Sequence, residues 1–285
     1  MEIYSPVFEM QISQMKLIYI TSDIYEASIA NDSNIDYVMV DLEVNGKKER
    51  QKGRDTLISN HTLEDVKLIR KVLTRSKLLV RINPIWRNTK EEIDRAVSFG
   101  ADSVMLPMFR SKGEVEEFLS LVNGRAECQL LLETSTGLEG IDSILELQGI
   151  STLHVGLNDL HQELNLGFMF EIFLGEMLQE LGKKVNNQGI TFGIGGVGRP
   201  LASQLVSAEL IMKEHGRLGS SQVILSRDFR KIFLESDSQH LTLMQEASTL
   251  IRNYSEVSSD TEMERAWFRQ KLVENISIAS NKIRF

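Results

Sequence analysis

A single cysteine, Cys128, leaves the chain no internal disulfide framework and fits a reducing compartment. It reads as a buried bystander beside a strand. No apolar run approaches the ~18 residues that a membrane-spanning helix needs, and the N-terminus lacks the positive, apolar, small-residue pattern of a secretory signal. The expectation is a cytoplasmic protein with no membrane partner. Basic residues form no cluster interleaved with aromatics. With 32 Lys and Arg against 40 Asp and Glu, and a net charge of −8, the chain offers nothing to nucleic acid. No lysine stands at the end of a strand-like run, which argues against chemistry through an imine.

What is present is an ordinary globular composition, 42% hydrophobic and 25% charged. Its order is regular. The organising stretch is 129–160, QLLLETSTGLEGIDSILELQGISTLHVGLNDL. Two strand-like runs, 130–132 and 153–156, flank a short helical segment, 141–147, closed by Gly149. Each run is followed by an acid, Glu133 or Asp159. Strand, helix and strand within about thirty residues make a βαβ unit with parallel strands. Both carboxylates then leave the same C-terminal edge of one sheet, where α/β proteins carry their chemistry.

The pattern recurs along the chain. Strands are expected at 16–23, 36–43, 78–83, 103–108, 191–197 and 222–226 besides that pair. Helices are expected at 25–31, from Thr62, from Thr89, from Ser111, within 168–185 and from Pro200. Thr89 with Glu92, and Ser111 with Glu114, have the spacing of capping boxes. Residues 1–14 are an irregular lead-in, and the charged segment 45–60, with its basic run 47–54, is a solvated loop beside the active edge. Eight strands with a helix between each pair predict a closed (β/α)8 barrel over residues 1–235. An open doubly wound sheet is the alternative. Residues 236–285 read as a C-terminal helical extension and a contact in a homo-oligomer.

In such a barrel the strand ends share one mouth. They bring Asp41 and Glu43, Arg81 and Asn83, Met108, Glu133, Asn158 and Asp159, and the glycine-rich turn 195–198 together. Glu133 and Asp159 are oxygen ligands suited to Mg2+ or Mn2+. Arg81, inside an apolar run, either pairs with a neighbouring strand's acid or forks a substrate carboxylate. A metal beside an arginine suits a 2-oxo acid, because both would stabilise charge moving onto the keto oxygen as a C–C bond breaks or forms. Trp86 stands to wall the substrate pocket. The glycine-rich stretch 193–199, with Gly195 and Gly196 as substrate-binding candidates, reads either as a phosphate-type binding turn ahead of a helix at Pro200 or as close-packed barrel turns. His154, within a strand, reads as a core histidine.

These residues carry a resemblance. DYVMVDLE (36–43), VRINP (80–84), GADSVMLP (100–107), LLETS (131–135) and GLNDL (156–160) resemble, in order, the motifs of the HpcH/HpaI aldolase and citrate lyase β-subunit family. The resemblance implies a metal-dependent barrel handling pyruvate-like enolates. Glu133 and Asp159 would be its metal ligands, and Arg81 would stabilise substrate and enolate. GIGGVG with HGRLGSSQVILSRDF is similar to a branch found with bacterial surface-polysaccharide genes. One position departs from the pattern. Where the aldolases usually carry a proton-transferring histidine, and citrate-lyase-like members an aspartate, this chain has Val44. Glu43 and His61 are the candidate replacements. The expected activity is a carbon–carbon lyase acting on a 2-oxo acid with an aldehyde. The alternatives are a lyase of acyl-CoA esters and a carboxylate-binding barrel without catalysis.

Overall fold

Alternation within each apolar run decides the architecture. Cys128, Leu130 and Leu132 pack on one side of their strand and Leu131 on the other, and both sides are buried. A strand buried on both faces belongs to a parallel sheet covered by helices. The computed structural model, which describes residues 14–45, 61–200, 204–235 and 238–284, shows that arrangement. Its strands are β1 (Lys16–Ile20), β2 (Tyr37–Asp41), β3 (Lys77–Arg81), β4 (Ser103–Leu106), β5 (Glu127–Leu132), β6 (Ile150–Gly156), β7 (Thr191–Val197) and β8 (Gln222–Leu225). They close in sequence order into one parallel barrel, with Leu17 in register with Val223 across the seam. This is the (β/α)8 barrel expected from the sequence.

The helices are α1 (Ile24–Asp32), α2 (Leu63–Arg70), α3 (Thr89–Ser98), α4 (Lys112–Val122), α5 (Ser135–Glu139), α6 (Ile141–Leu145), α7 (Leu157–Glu163), α8 (Met177–Asn187), α9 (Ala208–Arg217), α10 (Ile232–Glu235), α11 (His240–Ser255) and α12 (Glu262–Arg284). Short 3-10 helices occupy Met169–Leu174 and Arg227–Lys231. Thr62 and Asp65 form a capping box on α2, and Ser111 and Glu114 form one on α4. Gly100, at φ +94°, turns the chain out of α3 in a conformation other residues rarely adopt.

Several local expectations are corrected. The Thr89–Glu92 capping box does not form: Asn88 caps α3 without a side-chain bond, and the Glu92 carboxylate is taken by Asn83 and Trp86. Pro200 lies in a turn, and the next helix among the described residues, α9, begins at Ala208, where the Ser207 side chain accepts the N–H of Leu210. The helix expected at 141–147 is present as α6, but a second short helix, α5, precedes it and meets it at Gly140. Asp159 lies in the first turn of α7 rather than at a strand end. Residues 1–13 and 46–60, with the basic run, lie outside the described residues.

Inside the barrel, Ile18, Tyr37, Met39, Leu79, Met105 and Leu131 pack against one another. A polar layer lies among them. His154 is fully buried, with its Nδ1 3.1 Å from Gln222 Oε1. Its imidazole crosses β7 where Gly193 and Gly195 have no side chains; a Cβ at Gly193 would collide with Nδ1. Burial, followed by the Arg81 charge and against the Gln222 bond, pulls the His154 pKa down to about 4. The side chain of Gln129 is also buried here, and neither of its polar atoms has a hydrogen-bond partner among the described residues.

Outside the barrel, α11 packs on α1 and α9, and α12 on α9 and the Met169–Leu174 turn. Arg252 ties α11 to Asp36 and to the carbonyls of Met15 and Asn34. Leu272, Ile276 and Ala279 of α12 are buried, while Met263, Trp267 and Ile278 are exposed. Among the described residues no helix is long and apolar enough to cross a membrane.

Candidate active site

Arg81 ends β3 directly beside Asp41, the last residue of β2. Its Nε and Nη2 donate to the two oxygens of Asp41, each at 2.8 Å. Such a two-pronged bond fixes the plane of the guanidinium as well as its position. Nη2 is also 3.5 Å from Glu43 Oε2. Asp41 and Glu43 are 2% exposed, so all this charge sits in a nearly closed setting. Burial works against the Arg81 charge. The Asp41 and Glu43 carboxylates outweigh it, with help from the more distant Glu133, and hold its pKa well above the ordinary value.

The backbone of Asp41 places the next group. Its N–H donates to His61 Nδ1 at 3.0 Å, so the ring proton of neutral His61 is on Nε2. The N–H of Glu43 donates to Asp41 Oδ1 at 3.2 Å. Asp41, Arg81, Glu43 and His61 are therefore one bonded group spanning the ends of β2 and β3.

Glu133 follows β5 and, by the strand's alternation, faces the interior with Gln129 and Leu131. It is 4% exposed and rests on the bare Cα of Gly156 at the end of β6. A Cβ at Gly156 would lie 2.5 Å from its Cγ and 2.7 Å from its Oε1. Asp159 is three residues further on, half-buried in the first turn of α7, where the helix dipole favours an anion. Among the described residues no group of three or more His, Cys, Asp and Glu could hold a metal. Two hard carboxylates still fit Mg2+ or Mn2+, because such ions commonly take one or two protein carboxylates and keep water or substrate oxygens elsewhere.

Trp86 lies between β3 and α3, half-buried, with its indole N–H donating to Glu92 Oε2 at 3.2 Å. Gly195 is in register with Gly156 and backs onto His154, whose Nε2 would lie 3.0 Å from a Cβ there. Gly196, joined to Gly195 by a cis peptide bond, lies over the Ile224 carbonyl. Val44 is 48% exposed, and its N–H donates to Asn83. Sequence reasoning missed the parts of Gly156 and Glu92. Glycine at the end of β6 was a visible signal only with the β5–β6 register in hand, and Glu92 was concealed by its capping-box spacing.

The model of the HpcH/HpaI aldolase/citrate lyase family matches residues 20–167. No curated protein matches the chain significantly. Among solved structures, an HpcH/HpaI aldolase from Desulfitobacterium hafniense DCB-2 is similar with a TM-score of 0.56 at 15% identity, over 88% of this chain and 96% of that one. An HpcH/HpaI aldolase/citrate lyase family protein from Burkholderia cenocepacia J2315 gives 0.58 at 14% identity, over 79% and 92%. The citrate synthase SbnG gives 0.56 at 18% identity, over 84% and 94%. At these identities the structures share the barrel fold, and the family match extends over half of the sequence. The chain belongs to the HpcH/HpaI aldolase/citrate lyase family.

Proposed function

We propose that the protein is a carbon–carbon lyase of the aldolase type, acting on a 2-oxo acid and an aldehyde through a pyruvate-type enolate with Mg2+ or Mn2+. Membership of a family of aldolases and lyases supports a C–C lyase in general. The observation that carries the finer reading is Arg81, a guanidinium side chain only 13% exposed and locked by Asp41 at a barrel mouth that also holds Glu133. A preorganised positive charge in a nearly dry site stabilises a developing enolate far more than the same charge in water.

Glu133 and Asp159 would hold the metal, which when bound supplies Lewis-acid polarisation of the keto oxygen. Arg81 holds the substrate carboxylate and faces the same oxygen as it gains charge. Glu43, beside Arg81, takes a proton from the carbon next to the keto group, and the C–H electron pair stays behind as the enolate. His61 has a different part. With Nδ1 already accepting from Asp41, it presents an N–H at Nε2 and donates rather than accepts there. Trp86 and the turn at Gly195 and Gly196 would border the substrate.

Glu133→Gln tests this reading directly. Turnover and Mn2+ affinity should both fall, and undiminished turnover would contradict it. Val44 favours one second reading. With an exposed valine where the family usually has its proton-transferring group, the mouth would bind a carboxylate without turning it over, and ligand binding without product would reveal that.

A further inference from the structure

The β2–β3 ladder ends at Leu42, whose N–H bonds the Arg81 carbonyl. The chain beyond it, residues 43–45, carries Glu43 and Val44 past the sheet. The amides of Val44 and Asn45 are gathered by a single side chain, both donating to Asn83 Oδ1 at 2.9 Å. The other end of the Asn83 amide, Nδ2, donates to the Leu42 carbonyl at 3.2 Å and to Glu92 Oε1 at 2.8 Å.

Only one orientation of that amide serves both sides. Flipped, it would set its NH2 against two backbone N–H groups. A carboxylate accepts and never donates, so Glu92 enforces the working orientation. Glu92 is buried and committed to this task. It also accepts the Asn83 N–H at 3.3 and 3.4 Å and the Trp86 indole N–H at 3.2 Å. The same commitment explains why it leaves the N-terminus of α3 without its capping box.

We propose that Glu92 is a positioning residue: through the polarity of the Asn83 amide it fixes residues 43–45, and with them the Glu43 carboxylate at Arg81. The part given to Glu43 rests on the function proposed above. The positioning itself does not.

The test exchanges the two groups. Glu92→Gln, Asn83→Asp and the double variant are compared by hydrogen exchange at the Val44 and Asn45 amides, and by kcat and KM for metal-dependent exchange of the pyruvate methyl protons. Glu92→Gln sets an NH2 group among donors, and Asn83→Asp sets two carboxylates face to face. Each should speed exchange at the two amides on the order of tenfold, the loss of one well-placed hydrogen bond. Each should also lower kcat by a similar factor with KM little changed, while the β2 amides stay protected. In the double variant, the carboxylate now at position 83 would accept from Val44 and Asn45 on one oxygen and from the amide now at position 92 on the other, while that second oxygen faces the Leu42 carbonyl and one branch of the backbone N–H bond at position 83 is lost. Both readouts should therefore recover part of the way to wild type. Unchanged amide exchange in the single variants, or no recovery in the double variant, overturns the proposal. If the amides respond and recover while even the wild type exchanges no pyruvate protons, the positioning stands and the proposed reaction fails.

Discussion

Replacing Gly156 by alanine adds one methyl group where the end of β6 meets Glu133, three residues before Asp159 in α7. The backbone there has φ −87° and ψ 98°, open to any residue, so the change introduces no main-chain strain. The new Cβ would stand 2.5 Å from Glu133 Cγ, where ordinary contact starts at 3.4 Å, so the carboxylate must retreat by about 1 Å. Glu133 is 4% exposed and has little room to swing aside. Metal–ligand distances tolerate only ~0.2 Å, so a displacement of this size removes a ligand in effect. Mn2+ affinity, read by titration calorimetry or electron paramagnetic resonance, should fall on the order of 10–100-fold. Overpacking should cost the fold no more than about 1–3 kcal/mol. Gly175→Ala, where a Cβ meets nothing within 4 Å, is the control. A folded Gly156→Ala protein that binds Mn2+ like the wild type would refute the placement of Glu133.

Acid should weaken the fold through its buried histidines. Burial lowers the pKa of His154 to about 4 and of His215 to about 3, so between there and pH ~6.5 the unfolded chain binds more protons than the native one. Stability from these groups is complete above pH ~6.5 and is lost as pH falls toward those values, by roughly 3 kcal/mol for His154. Urea midpoints should drop between pH 7.5 and 4.5, and His154→Gln should flatten the slope; an equal slope in that variant would count against the assignment. Asp41→Ala leaves Arg81 buried without its bidentate partner and should cost about 3–5 kcal/mol in urea unfolding. A loss below 1 kcal/mol would mean that the pair is hydrated. Gln129→Leu removes a buried amide that has no partner among the described residues, so it should be neutral or stabilising. A clear loss of stability would show that the amide is satisfied by something else, such as an internal water.

The barrel was legible because its strands are written plainly. A run such as 37–40 is apolar on both faces, and a helical pattern follows each such run, which leaves little choice but a parallel, helix-covered sheet. Arg81 stood out for the same reason, as a charge in an apolar run, and its pairing with Asp41 follows from the register of β2 and β3. Signals with two physical readings were the ones misassigned. Thr89 and Glu92 have capping-box spacing, but a buried amide at Asn83 outcompetes the helix terminus for the carboxylate. Asp159 looked like a strand end because α7 starts at once after β6, with Gly156 offering no side-chain cap to announce it. The contact between Glu133 and Gly156 spans two strands, and no local pattern encodes it.

The central claim is an enolate formed beside Arg81, and exchange of the pyruvate methyl protons in D2O, followed by NMR with and without Mn2+, tests it without any aldehyde. The expected result is metal-dependent exchange that falls on the order of a hundredfold in Arg81→Lys, which keeps the charge but loses the fork. Undiminished exchange in Arg81→Lys, or pyruvate and Mn2+ bound to the wild type with no exchange at all, would contradict it.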